Sequence, residues 1–224
     1  MFSIKNTKEI QQSDGVKILI HAASGSGKTT QLGTIEGKVL ILSAESGLLV
    51  LKDKDIDVID ITSLEELGKV YVALRDGNLT YDTVCLDSLS EIGDICVSEL
   101  EQDDYYSNPS NAFVKWSEYT KRMTNIVKKF RDLKGINVVF TALTEAVESN
   151  GCVKFTPQVP AKKFQAKLVS MFDFVIYMTV DGESKRWFHH DDSSMWVAKS
   201  RANLESKVEV TGEYNLNSII NKLK

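Results

Sequence analysis

The stretch Ser24-Gly25-Ser26-Gly27-Lys28-Thr29-Thr30 constrains this chain more than any other. It follows an apolar run containing Val16, Ile18, Leu19 and Ile20, and it leads into a segment able to form a helix. Strand, glycine-rich turn and helix in that order converge several backbone N–H groups on one point. The positive end of the helix dipole faces the same point, which is how proteins hold a phosphate chain. In this pattern Lys28 reaches the β- and γ-phosphates of a nucleoside triphosphate and the Thr29 hydroxyl ligates Mg²⁺. The pattern G-x-x-x-x-G-K-[ST] asks for glycine at position 22, where the chain has Ala22. Alanine lacks glycine's freedom at positive φ, so the turn off the strand is expected at negative φ.

Further strand-like runs cover Lys17–Ile20, Val39–Ala44, Asp57–Ile61, Thr83–Asp87, Ile136–Leu143 and Asp173–Thr179. They are nearly continuous in apolar residues, as strands buried on both faces are. Helices are expected at Lys28–Ile35, Ser63–Arg75, Leu89–Gln102, Ala112–Leu133 and Ala161–Ser170, with Ser63 and Glu66 as a capping box. Alternation of this kind predicts an α/β fold with a mostly parallel central sheet covered by helices on both faces. Asp103–Asn111 reads as an exposed loop. After it come a hairpin signal at Asn150-Gly151, the run Cys152–Val159, and an antiparallel pair, Lys185–His190 with Met195–Ser200, joined at 191–194. These form a C-terminal antiparallel extension, closed by a short helix at Asn215–Leu223. No linker divides the chain, so residues 1–224 are expected to form one domain.

The N-terminus lacks a basic segment followed by an apolar one, and no run approaches the roughly 18 apolar residues of a membrane span. Cys85, Cys96 and Cys152 have no CxxC spacing and read as reduced thiols, pointing to the cytoplasm. The formal net charge of −4 argues against a uniformly basic surface, but the charge is uneven. Residues 82–106 hold eight acidic side chains and no lysine or arginine, whereas 113–170 hold eleven basic against four acidic. That asymmetry suits one side facing a polyanion, although a solvated helix face is the plainer reading for any single lysine.

Asp87 ends the run Thr83–Asp87. A carboxylate at the carboxyl end of a parallel strand beside a phosphate loop suits the Mg²⁺ shell, but Asp87-Ser88 is also a good helix cap. Glu45, in Ser43-Ala44-Glu45-Ser46-Gly47, is placed to orient and deprotonate an attacking water, unless it is an ordinary loop glutamate. Thr141 and Thr144 close another run, where a hydroxyl can sense the γ-phosphate or simply serve as a strand residue. Lys199 and Arg201 alternate on one side of the last strand-like segment. They suit either cationic fingers acting on a neighbouring subunit or surface charge on an edge strand. His189 and His190 are adjacent in a strand and point oppositely, so they do not easily share one metal ion and a polar hairpin tip is expected.

With these residues in place, the chain resembles the RecA-like P-loop ATPases. It is more closely similar to small phage-encoded nucleotide-binding proteins that include single-strand annealing proteins of the Sak type. The phosphate loop is joined by the segment bearing Glu45, by Tyr81-Asp82-Thr83-Val84-Cys85-Leu86-Asp87-Ser88, and by Ala198-Lys199-Ser200-Arg201, together spanning roughly residues 15–205. Departures are Ala22 and Leu143-Thr144, near which the family commonly has a histidine. The resemblance implies a RecA-like core binding ATP and Mg²⁺, a homo-oligomer with ATP at subunit interfaces, and single-stranded DNA as the polymer partner. A single-strand-binding protein would be a further partner.

The reaction expected is ATP plus water to ADP plus phosphate, serving DNA recombination by binding and annealing single strands. A basic groove with aromatic stacking would hold the strand. Candidates are Lys162, Lys163, Phe164 and Lys167, with Lys121, Arg122, Lys128 and Lys129. A small-molecule kinase is disfavoured because Arg75, Arg122, Arg131, Arg186 and Arg201 form no lid-like cluster. A nucleotide-gated assembly or packaging factor remains open, favoured by Tyr105-Tyr106 and the acidic stretch.

Overall fold

The computed structural model describes residues 15–45, 47–149 and 151–222. Among the described residues nine strands form the sheet: β1 Lys17–Ala22, β2 Val39–Ser43, β3 Asp57–Asp60, β4 Thr83–Asp87, β5 Asn137–Ser149, β6 Cys152–Pro157, β7 Phe174–Val180, β8 Arg186–His189 and β9 Lys207–Glu209. Their order is β3-β2-β4-β5-β1-β7-β8-β9, with β6 paired to β5 off that path. From β3 to β7 every neighbouring pair is parallel. Strands β6, β8 and β9 are the antiparallel additions.

The helices are α1 Lys28–Leu32, α2 Leu64–Arg75, α3 Leu89–Glu101, α4 Asp104–Ser107, α5 Ala112–Arg131, α6 Lys162–Leu168 and α7 Leu216–Lys222. Strand alternation sends successive side chains to opposite faces, and each face has its own core. Leu19, Leu86, Val138 and Phe140 meet Leu67, Ile92, Tyr119 and Phe164 of α2, α3, α5 and α6. Ile18, Ile20, Cys85 and Val139 meet Leu32 of α1 and Leu216, Ile219 and Ile220 of α7. Each such fully buried side chain contributes about 1.5–3 kcal/mol, so two continuous apolar layers fix the sheet between them.

The expected architecture is present: an α/β fold with a mostly parallel sheet, helices on both faces and an antiparallel C-terminal extension. Ser63 caps α2, accepting from the Glu66 N–H at 3.2 Å, and the Glu66 carboxylate accepts from the Thr62 N–H at 2.9 Å. Four expectations need correction. β3 is an edge strand and mostly exposed, because only β2 flanks it. Residues 103–111 are not open loop: Asp103 caps α4 and Asn108 caps a 3-10 turn at Pro109–Asn111. The segment 195–200 does not pair with β8. Trp196 bridges Phe155 and Lys199 bridges Val175, while β8 lies between β7 and β9. β5 runs past Leu143 to Ser149, because β6 supplies a partner beyond the end of β1. Asn150 of the hairpin, Ser46 beside Glu45 and Leu223 of the last helix lie outside the described residues.

Candidate functional site

The phosphate loop leaves β1 at the carboxyl edge of the sheet. Ala22 ends the strand, is fully buried, and is not among the residues at positive φ, as the sequence required. The two glycines that follow take over the turn: Gly25 has φ +73° and Gly27 φ +100°. At Gly25 a Cβ would meet no atom within 4 Å, so the glycine is needed for backbone conformation rather than for space. Gly27 caps α1 without any side-chain acceptor, which leaves the first N–H groups of the helix to a ligand.

Lys28 lies under the loop, buried, with Nζ 3.4 Å from the Ala22 carbonyl and 3.3 Å from that of Ala23. Those are long contacts for an ammonium group. Burial lowers its pKa, opposed by the nearby charges of Glu45 and Asp87. A phosphate dianion beside it would add to that counter-charge and offset the cost of burial.

Asp87 ends β4 two strands from β1, with β5 between them. Both of its oxygens are engaged. Thr29 Oγ1 donates to Oδ2 at 2.9 Å, and Thr141 Oγ1, on β5, donates to Oδ1. Burial raises the pKa of Asp87, and the two hydroxyls work against that rise. Capping is done by the next residue: Ser88 Oγ accepts from the Glu91 N–H at 3.4 Å and opens α3, so Asp87 is free for the loop.

Glu45 sits just past β2. The N–H groups of Ala44 and Glu45 donate to the Asp87 carbonyl at 2.7 and 3.3 Å, and Ser43 Oγ donates to the Glu45 carbonyl at 2.6 Å. This ties the segment to the end of β4 and brings the Glu45 charge near both Lys28 and Asp87. Its Oε1 is buried without a hydrogen-bond partner among the described residues. Such an orphaned acceptor costs about 1–3 kcal/mol unless a ligand or water satisfies it.

These features fit a magnesium nucleotide. With its proton given to Asp87, the Thr29 hydroxyl presents lone pairs to the loop, the orientation a Mg²⁺ ligand needs. Asp87 stands behind it, and Glu45 offers the unpaired acceptor.

Other candidates lie elsewhere. Thr144, three positions from Thr141, points to the opposite face, where its Oγ1 is 2.8 Å from His21 Nδ1. Lys199 Nζ donates to the carbonyls of Phe172 at 2.6 Å and Val169 at 3.3 Å. Arg201 Nη1 pairs with Asp173 at 2.6 Å. Both therefore reach the starting end of β7, away from the phosphate loop of their own chain. His189 and His190 are buried rather than at a polar tip, bound to Thr179 and Tyr214, and desolvation lowers each pKa to about 4. No cluster of metal-ligating side chains exists among the described residues. Lys162, Lys163 and Lys167 are exposed on α6. Phe164 is fully buried against Tyr119, so its ring is not free to stack on a base.

One residue at the site escaped the sequence reading. Arg186, at the start of β8, donates from Nε to the Ser26 carbonyl at 2.9 Å, although 160 positions separate them. A side chain at Gly27 would meet this Nε at 2.9 Å. No local signal marks Arg186; only the β7–β8 pairing brings it to the loop.

Among the described residues, no helix is long and apolar enough to cross a membrane. No curated protein sequence matches the chain. A family model described as an AAA domain matches residues 14–202, a span that includes the loop, both carboxylates, Thr141 and Arg186. With a phosphate-binding loop backed by acidic strand ends on a mostly parallel sheet, and with that match over most of its length, the chain belongs to the AAA domain family of nucleotide-binding P-loop NTPases.

Proposed function

We propose that this protein is a magnesium-dependent ATPase of the RecA-like kind, acting in DNA recombination by binding and annealing single strands. The observation that carries the ATPase half is the convergence of Thr29, Thr141 and Asp87 beside Lys28, with the Glu45 charge close to both Lys28 and Asp87 and its Oε1 unpaired among the described residues. Thr29 and Asp87 would hold Mg²⁺, which supplies positive charge against the phosphates. Lys28 and the loop N–H groups bind and orient the phosphate chain. Glu45 Oε1 accepts a proton from the attacking water, a contribution typically of 10²–10⁴-fold.

Charge distribution supports the DNA half. α5 and α6 share one face of the sheet, and the exposed Lys121, Lys128, Lys129, Lys162, Lys163 and Lys167 all lie on these two helices. Since Phe164 is committed to the core, stacking falls to Phe113 and Trp116 on α5, 85% and 39% exposed. Sites at the boundaries of a homo-oligomer give Lys199 and Arg201 a neighbour's nucleotide to act on, and a single-strand-binding protein is a compatible further partner.

A protein-directed assembly factor is the second reading. Leu49, 81% exposed and close in sequence to Glu45, suits a protein contact better than a DNA contact. Titrating a labelled single-stranded oligonucleotide at rising salt, with and without Mg-ATP, separates the two. Retention weakening with salt supports DNA. No binding at low salt with Mg-ATP present removes DNA and leaves the assembly reading.

A further inference from the structure

The phosphate loop has two flanks, and they differ in charge. On the β4 side stand Asp87 and Glu45, with Thr29 turned toward Asp87. On the other side, across β7, stands Arg186. Its face of the sheet is that of α1: a side chain at Gly27 would meet Met178 Cε at 3.6 Å as well as Arg186 Nε. Met178 and Phe188 belong to the same apolar layer as Leu32 of α1.

Arg186 is exposed and forms no ion pair with a carboxylate among the described residues. One hydrogen bond, from Nε to the Ser26 carbonyl, fixes it on the loop. The fork of terminal N–H groups donates to no described acceptor. A guanidinium has five donors in a rigid plane, so anchoring one of them aims the other four.

The two flanks also set the direction of a bound nucleotide. Thr29 and Asp87 would hold the Mg²⁺, which would supply positive charge to the terminal phosphates, so those phosphates would belong on that flank. The α-phosphate and the nucleoside then lie over Ser26 and Gly27, toward β8. From this arrangement we infer that Arg186 binds the α-phosphate end of the nucleotide held by its own chain. It thereby recognises nucleoside diphosphate and triphosphate alike. This rests on the nucleotide-binding reading and assigns the α-phosphate end to Arg186. The carboxylate flank alone would then respond to the γ-phosphate.

The test is equilibrium binding of fluorescent ADP and ATP to the full chain, comparing wild type, Lys28→Ala, Arg186→Ala and Arg186→Lys. Arg186→Ala is expected to weaken both nucleotides by the same factor, about tenfold or 1.4 kcal/mol. Arg186→Lys keeps the charge but not the anchored fork, and is expected to recover only part of that loss. Because Arg186 is exposed, its thermal melt should match wild type. A loss confined to ATP would move Arg186 to the γ-phosphate and overturn the assignment, as would unchanged affinity for both nucleotides. If wild type binds neither nucleotide, the nucleotide reading itself falls and this inference falls with it. If wild type binds and Lys28→Ala does not while Arg186→Ala equals wild type, only the role of Arg186 falls.

Discussion

Thr29 and Asp87 stand 58 positions apart in the chain and meet at 2.9 Å. The contact unites the helix after the phosphate loop with the end of β4. Because Thr141 takes the other carboxylate oxygen, Asp87 is held from two directions. A buried carboxylate resists ionisation, and these hydroxyls, together with the Lys28 charge, favour the charged form. Lys28 and Glu45 complete the set, and each tests a different step.

Lys28→Ala should reduce nucleotide affinity by on the order of 100-fold, since it removes the loop's buried cation. Calorimetric titration with Mg-ATP measures this. An unchanged affinity would mean that the loop binds phosphate through its backbone alone.

Glu45→Gln preserves shape while removing the proton acceptor. Nucleotide affinity should stay within a factor of about three, while phosphate release falls by roughly 10²–10³-fold. Unaltered turnover would take Glu45 out of the reaction.

Lys199→Ala asks whether that ammonium acts on a neighbour or only braces the start of β7 through the carbonyls of Phe172 and Val169. As a finger it should give an inactive protein that regains activity when mixed with Glu45→Gln. Random assembly restores roughly a quarter of the interfaces. As a brace it should instead lower the melting temperature, with no rescue on mixing.

His21 makes stability depend on pH. It is wholly buried, with Nε2 2.7 Å from the Val197 carbonyl, and desolvation lowers its pKa from 6.5 to about 4. The unfolded chain therefore binds more protons between those values, so stability intact above pH 6.5 is lost as pH falls toward 4. Between pH 7 and pH 5 the loss is about 2 kcal/mol for this residue. His189 and His190 act in the same direction. Urea unfolding at the two pH values should show a smaller difference in His21→Gln than in wild type. Equal differences would relieve His21 of this role.

The loop, β4 and the Glu45 segment were legible in the sequence because each is a local pattern, and a parallel sheet brings the carboxyl ends of its strands to one edge. Thr141 was legible only as a strand end; it gains its meaning from β5 lying between β1 and β4. Arg186 carries no local signal, because the arginines do not cluster in sequence and its contact is set by the β7–β8 pairing. Phe164 looked available beside three lysines, but on α6 its position faces the core. The two histidines misled in the same way: a polar pair at a strand end reads as surface until β9 and the 195–200 segment pack beside it.

β5 has one further consequence. Through Leu143 it belongs to the main sheet, and from Thr144 to Ser149 its strand partner among the described residues is β6. Thr141 and the far end of this strand are parts of one continuous rod, about 26 Å long at 3.3 Å per residue. Because Phe155 of β6 is in turn bridged to Trp196, this strand ties the place where Thr141 meets Asp87 to the segment between β8 and β9.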